Sequence, residues 1–384
     1  MAQRTLTHSV PIDLKQGLGE SKSQLVIVWQ QFRKHQLAMI GGAILIVLYL
    51  LTATADFIAP YGETTAFRRA PDRYLNAPPA TIYFRAPDGK LTRPFVYPVT
   101  GVRNPRTFRL EYTEDRTTPY PIYFFVRGAP YKVFFGLFTS DIHLLGVERP
   151  ATMFLWGTDP NGRDLFGRIW FGARVSLTVG IFAALLALFL GLLMGGIAGY
   201  YGGAVDNVIM RMVEVLFAIP GLFLLITLRT IFPVTLSPNV TYILVISILS
   251  LVGWGGLARV IRSIVLSLRE MDYTQAARAL GAADARIIVR HLLPGTLRYA
   301  LVSLTLDIPG FILLESALSF LGLGIQEPRA SWGLMLSQAQ EGGLETFAAR
   351  PWLLLPGLFI FLTVLAYNFL GDGLADATDP RLRH

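Results

Sequence analysis

Six apolar stretches, each long enough to cross a bilayer, leave few folds open to this chain. They occupy residues 37–58, 176–200, 208–231, 240–258, 301–320 and 352–370. A helix needs about 20 apolar residues to traverse the hydrocarbon core. No water reaches the backbone there, so each stretch must satisfy its own hydrogen bonds as a helix. Pro220-Gly221 interrupts the third stretch and Pro309-Gly310 the fifth. Kinks are expected at both, since neighbouring helices cover freed carbonyls. Only 16% of the 384 residues are charged, too few to coat a soluble protein of this size, where roughly 25% is usual. The mean hydropathy is +0.48. The expected class is an all-α polytopic membrane protein with six spans.

Charge sets the expected orientation. Residues 1–35 hold five Lys/Arg, with Arg33 and Lys34 against the first span, and residues 259–298 hold seven Arg. Residues 232–239 hold none. With six spans both basic segments fall on one side, which the positive-inside rule makes the cytoplasm, so both termini are expected there. Residues 60–170 carry 15 Lys/Arg, but segments longer than about 60 residues cross largely regardless of charge. No apolar segment with a small-residue cleavage site precedes the first span, so no removable signal peptide is expected. Trp29 and Phe32 fit either an interfacial elbow helix on the inner leaflet or an ordinary juxtamembrane linker.

Residue types exclude much chemistry. Cys is absent, which removes disulfides, thiol nucleophiles and Cys-ligated metals. His8, His35, His143, His291 and His384 form no HxxxH or HExxH pair, and no metal site is expected. No G-x-x-x-x-G-K-[ST] occurs, because Lys22-Ser23 lacks the preceding glycines. The net charge of +8 reads as membrane orientation rather than nucleic-acid binding.

Residues 60–153 are rich in Pro, Arg, Tyr and Phe. Short β-type runs at 81–85, 95–99, 107–112, 122–126 and 131–137, with a Pro87-Asp88-Gly89 turn, predict a small β module outside the membrane. Its aromatics Tyr112, Tyr120, Tyr123, Phe124 and Phe125 fit either the module's own core or a contact surface. The expected organisation is a cytoplasmic tail and elbow helix (1–35), a first transmembrane helix (36–59) and the external insert (60–153). A five-helix core (154–374) follows, with a cytoplasmic loop at 259–298, and then a cytoplasmic tail (375–384).

That inner loop carries strong local signals. Asp272 followed by Gln275 is a capping-box pattern, predicting a helix from Tyr273. Ala276, Ala277 and Leu280 share one face, and Gly281 supplies the left-handed residue that ends the helix. A second helix starts after Asp284, with Ile287, Ile288 and His291 or Leu292 on one side, and Pro294 stops it. Arg278, Arg286 and Arg290 line the other face. Such an elbow suits a groove in another protein.

Gln275-Ala276-Ala277, Gly281 and Leu293-Pro294 together resemble the EAA loop of ABC importer permeases, whose pattern is EAA, three residues, G, nine residues, I-x-L-P. Gln275 stands in place of Glu and His291 in place of Ile. Gly157-Thr158-Asp159-Pro160-Asn161-Gly162-Arg163-Asp164, residues 315–324 with Ser331-Trp332-Gly333, and Gly371-Asp372-Gly373-Leu374 with Asp379-Pro380-Arg381 extend the likeness. These resemble the second permease subunit of dipeptide, oligopeptide and nickel importers over residues 25–60 and 151–384. The resemblance implies a type I importer fold and a non-catalytic subunit. Its implied partners are a second homologous permease, two cytoplasmic ATPases that bind the ATP and magnesium, and an external solute-binding protein. Energy would then come from partners, and moving a two-state pathway from 1:99 to 99:1 takes roughly 5.5 kcal/mol.

Other residues leave alternatives open. Gly191, Gly195 and Gly199 form a small-residue stripe for close packing, inside the subunit or against a partner. Glu214 has Arg211 three residues away, which favours a structural pair. Asp307 and Glu315, about two turns apart, are read as sharing a face and either line a pathway or bond neighbouring helices. A proton-coupled carrier using those two acids is the rival function. Gly157, Asp159, Gly162, Arg163 and Asp164 are read as a turn leading into a helix capped by Asp164, with Arg168 one turn on.

Overall fold

A computed structural model describes residues 24–378, apart from 70–72, 87, 107–109, 134–136, 234, 342 and 344–347. The motif Asp379-Pro380-Arg381 lies outside the described residues. The helices before the insert are α1 (Gln24–Phe32), α2 (Gln36–Ala53) and α3 (Ala55–Ile58). After it come α4 (Leu165–Tyr201), α5 (Gly203–Ala218), α6 (Gly221–Thr230) and α7 (Pro238–Arg269). Next are α8 (Asp272–Ala279), α9 (Asp284–Ile287), a π turn (Ile288–Leu292) and α10 (Leu293–Phe320). The chain continues through α11 (Trp332–Gln340) and a 3-10 turn (Pro351–Leu354) to α12 (Leu355–Thr378).

Among the described residues, five helices are long and apolar enough to span a membrane alone, and α5 with α6 makes a sixth span only as a pair bent by 93°. The kink expected at Pro220-Gly221 is therefore a near right angle. Proline disfavours α geometry in the residue before it, and Ile219 is extended at φ −101° and ψ 129°. At Pro309, by contrast, α10 runs on as one helix. The second span begins at Leu165 rather than Ser176, because the Asp164 carboxylate accepts from the Gly167 N–H at 2.7 Å and caps it. Trp29 stacks on Phe32 at 5.9 Å in α1, the helix expected before the first span.

The glycine stripe packs inside the subunit, on α7. A Cβ on Gly191 would lie 2.8 Å from Leu257, one on Gly195 2.5 Å from the Ala258 carbonyl, and one on Gly199 2.8 Å from the Arg262 carbonyl. α4 therefore approaches α7 closely over about two turns, meeting its backbone at Gly195 and Gly199 and the Leu257 side chain at Gly191. On the other flank α2 packs on α12, with Gly41 against the Ala366 carbonyl and Tyr49 Oη 2.7 Å from Tyr367 Oη.

The insert is β, as expected, with shifted strands. β1 (Tyr83–Arg85), β2 (Leu91–Val96), β5 (Tyr120–Val133) and β6 (Phe138–Val147) form an antiparallel sheet in the order β1-β2-β5-β6. β3 (Val99–Arg103) and β4 (Leu110–Glu114) pair separately. The run expected at 95–99 is split between β2 and β3. Those expected at 122–126 and 131–137 belong largely to one long strand, β5. Its partner β6 was not anticipated, because Ser140, Asp141 and His143 dilute its apolar signal. Asp88-Gly89 turns β1 into β2, with Gly89 at φ +81°, and Pro87 lies outside the described residues. The aromatics divide: Tyr112 donates to the Leu75 carbonyl at 2.7 Å, while Phe124 and Phe125 are exposed, Phe125 with its ring 6.2 Å from that of Phe57 in α3.

The α4–α7 contact yields a test. Gly195→Leu should destabilise the purified chain by about 1–3 kcal/mol, because the new side chain meets fixed backbone. Gly310→Ala, where a Cβ meets nothing within 4 Å, should leave the thermal midpoint unchanged or raise it slightly. Equal midpoints for both variants would contradict backbone contact at Gly195.

Candidate functional site

The inner loop folds as a braced elbow. The last carbonyls of a helix need partners, and those of α7 find theirs in α8. Thr274 Oγ1 donates to the Leu268 carbonyl at 2.9 Å, and Gln275 Nε2 to the Arg269 carbonyl at 3.1 Å. The capping box is thus not formed. Met271 is the N-cap, α8 starts at Asp272, and the Gln275 side chain is taken up by α7. Asp272 occupies the first turn, where its charge suits the helix dipole.

Gly281 ends α8 as expected, at φ +77°. Its N–H bonds the Arg278 carbonyl, and the Ala282 N–H reaches back to Ala277, the paired bonds of a Schellman motif. The expected face of Ala276, Ala277 and Leu280 is divided. Ala277 packs inward with Ala282 on a cluster of Tyr200, Leu257, Ile261, Val265, Ile287, Ile288 and Leu292, while Ala276 is exposed. Leu280 is 88% exposed, and Tyr273 and Met271 are about half exposed. Arg278, Arg286 and Arg290 are exposed as expected.

Pro294 does not stop the second helix. The Leu293 N–H bonds the Ile288 carbonyl five residues back, and α9, the π turn and α10 run on as one span from Asp284 to Phe320. Widening the turn relieves the collision between a proline ring and the carbonyl four residues earlier. Leu293 packs on Gly196 of α4.

A bracing residue missed by sequence reasoning is Tyr200, at the inner end of α4. Its hydroxyl donates to Asp284 Oδ1 at 2.6 Å, its carbonyl accepts from Arg269 at 3.1 Å, and the Arg278 guanidinium lies 5.4 Å over its ring. Chain separation hides these contacts, since Asp284 is 84 residues away. A 370 Å³ cleft opens between Tyr200, Tyr201, Arg269, Glu270, Arg278 and Asp284.

At the opposite end, the 157–164 turn holds a buried charge cluster. Gly157 and Gly162 take positive φ, and a Cβ on either would strike backbone, the Ala77 and Phe67 carbonyls respectively. Asp159 accepts from the Asn161 and Arg163 N–H groups at 2.8 and 3.0 Å and from Arg163 Nε at 2.7 Å. Arg168 lies 3.4 Å from Asp159 and 3.6 Å from Glu327, while Arg163 bonds both Glu327 and Gln338. Burial works against the Glu327 charge, yet Arg163 and Arg168 hold its carboxyl below the usual carboxylate range. The cluster ties the start of α4 to the segment leading into α11.

The intramembrane acids are not brought together. Eight residues at about 100° each leave two side chains about 80° apart around a helix, so Asp307 and Glu315 do not share a face. Glu315 is fully buried and accepts from Ser176 Oγ at 2.8 Å and Ser319 Oγ at 2.7 Å, bonding α10 to α4. Asp307 is exposed and accepts from Ser303 Oγ at 2.9 Å. Glu214 pairs with Arg211 at 2.7 Å.

Comparison with known proteins identifies the family. A family model described as "Binding-protein-dependent transport system inner membrane component" matches residues 187–384. The chain belongs to this family. A second model, the N-terminal TM domain of oligopeptide transport permease C, matches residues 23–79. The chain is 45% identical over 236 residues to the dipeptide transport system permease protein DppC of Bacillus subtilis (strain 168), covering 61% of this chain and 71% of the relative. It is 39% identical over 246 residues to the oligopeptide transport system permease protein OppC of the same organism, covering 64% and 77%. With OppC of Haemophilus influenzae the identity is 39% over 264 residues, covering 68% and 82%. This inner membrane component is accordingly a multi-pass membrane protein.

The outer turn of this inner membrane component yields a pH test. Burial pushes the Asp164 carboxyl up to about 7, against the lowering effect of the Gly167 and Phe166 N–H groups. The folded state therefore binds the proton more tightly than the unfolded one, whose value is about 3.9. That stabilisation is fully present below about pH 4 and is lost as pH rises through about 7. Raising the pH from 5 to 8 should lower the thermal midpoint of the wild type more than that of Asp164→Asn, which keeps an acceptor for Gly167. Parallel pH profiles would contradict the assignment.

Proposed function

We propose that this chain is one of two permease subunits of an ATP-driven ABC importer that moves peptides inward. Exposure of Leu280 at the tip of a braced elbow carries this reading. A fully exposed leucine on a rigid, Arg-flanked tip is the kind of anchor that fills a partner's pocket. Tyr273, Ala276, Leu280 and Gly281 form the surface offered to a cytoplasmic ATPase, which holds the ATP and magnesium. No flexible linker separates that surface from the membrane. Two residues join α7 to α8, and the second arm continues into α10 as one span. Force applied at the elbow therefore reaches two spans directly. The relatives named as dipeptide and oligopeptide permeases support peptides as cargo.

Orientation follows from the same surface. The ATPase side is the side of α8 and of the basic flanks, so both termini are cytoplasmic and the β insert faces outward, where a solute-binding protein delivers its load. Exposed Val208, Met212, Val215 and Phe223 on α5 and α6 suit contact with the second permease across the pathway.

The elbow can be tested without disturbing the spans. Nothing lies within 4 Å of a Cβ on Gly281, so Gly281→Val acts only through backbone strain of about 1–3 kcal/mol at positive φ. In the assembled transporter the variant should insert normally, lose at least tenfold in peptide uptake and lose ATPase association. Normal uptake with normal ATPase association would refute the coupling role.

A further inference from the structure

An unpaired acid stands deep in the fifth span. Asp307 is 14 residues from Leu293 and 13 from Phe320, the ends of α10, so about 20 Å of helix lies on either side of it. The hydrocarbon core is about 30 Å thick, which puts the carboxylate well inside it. Asp307 is exposed, and it accepts from Ser303 Oγ of its own helix at 2.9 Å. No cationic side chain faces it among the described residues. Aspartate is too short to reach the headgroups from that depth, and a charge facing lipid there is costly. The exposed side of Asp307 must therefore meet water or a partner protein.

The neighbouring helices leave this side of α10 open. At about 100° per residue, Phe311 projects about 40° to one side of Asp307 and Leu306 about 100° to the other. Phe311 packs on Gly253 of α7, and Leu306 on Gly371 of α12. Ser303, Asp307, Gly310 and Leu314 fall in the sector between those flanks. Asp307 and Gly310 are exposed there, and a Cβ on Gly310 would meet nothing within 4 Å. A second feature that lipid cannot cover lies on a helix touching α10. The α5–α6 break falls inside the third apolar stretch, residues 217–223 are all exposed, and α6 contacts α10. The first N–H groups of α6 have no partners within the helix. Irregular backbone at membrane depth is tolerated only against protein or a water-filled cavity. One aqueous space beside α6 and α10 would satisfy both the break and the acid.

We propose that Asp307 lines the transport pathway and binds the ammonium groups of peptide cargo as they pass. The proposal rests on the peptide-importer reading above and gives it a specificity-determining residue. A peptide with a free N-terminus carries at least one such cation. A carboxylate without an internal counter-ion attracts it most strongly where the dielectric is low. The Asp307 carboxylate and the Ser303 hydroxyl offer too few oxygens for calcium, which takes about six to eight. A site partway across the bilayer, at a broken span, is where transported solutes commonly bind.

Absence of native cysteine allows a direct test in the assembled transporter. Gly310→Cys, one turn from Asp307, is treated with membrane-impermeant thiosulfonates carrying either a trimethylammonium or a sulfonate group. The ratio of their rates, normalised to that for a free thiol in water, should favour the cation by about fivefold or more. Adding Asp307→Asn should bring the ratio to about one, and Asp307→Glu in its place should restore the preference. In proteoliposomes supplied with the solute-binding protein, Asp307→Asn should raise KM about threefold more for a lysine-rich tripeptide than for a glutamate-rich one. An unchanged labelling ratio in Asp307→Asn would overturn the proposal. So would a Gly310→Cys thiol that neither reagent reaches with or without ATP, because lipid or the second permease would then cover this face. Failure of the wild type to import any peptide would instead remove the importer reading and peptides as the ligand, whereas the labelling ratio reports the cation site without reference to uptake.

Discussion

Backbone contact between α4 and α7 is the constraint on which the rest of this permease depends. In a bilayer the hydrophobic effect does not drive helices together, so close van der Waals approach has to. Gly191, Gly195 and Gly199 permit that approach over about two turns. With α7 held against α4, the inner ends of both helices arrive side by side, and Tyr200 comes within reach of Arg269 and Asp284. The elbow is then assembled on a platform already fixed by the spans.

The elbow itself resolves two local conflicts. The free carbonyls at the end of α7 need donors, and the Thr274 and Gln275 side chains supply them. The proline after α9 would break a regular helix, and the π turn absorbs it. Both solutions stiffen the connection, since they replace a linker with hydrogen-bonded structure. Under the coupling proposed above, a stiff connection would carry a partner's motion to the spans where a compliant one would dissipate it. At the far end, the Asp159, Arg163, Arg168 and Glu327 cluster holds the start of α4. Breaking a buried ion pair by removing one partner costs about 3–5 kcal/mol, so the buried Asp159–Arg163 pair holds that end of the helix firmly.

The intramembrane acids serve the same framework. Glu315 gathers serine hydroxyls from α4 and its own helix, while Asp307 stands on an exposed face with Ser303. Their separation around α10 leaves no shared proton path between them.

Much of this architecture was legible in the sequence, because its signals are local. Apolar length marks the spans, the four-residue glycine spacing marks a packing stripe, and Gly281 marks a left-handed helix end. Each depends on residues within one or two turns of each other. Tertiary structure decided what those signals meet. The glycine stripe faces α7 rather than another subunit, Pro220 turns its span through 93° while Pro309 leaves α10 continuous, and Gln275 serves α7 rather than its own helix. Asp272 and Gln275 have the spacing of a capping box, but unpaired carbonyls on α7 compete for the same amide and win. Tyr200 had no local signal at all, since its partners lie up to 84 residues along the chain. Competition of this kind is settled only when distant segments are brought together, which no local pattern records.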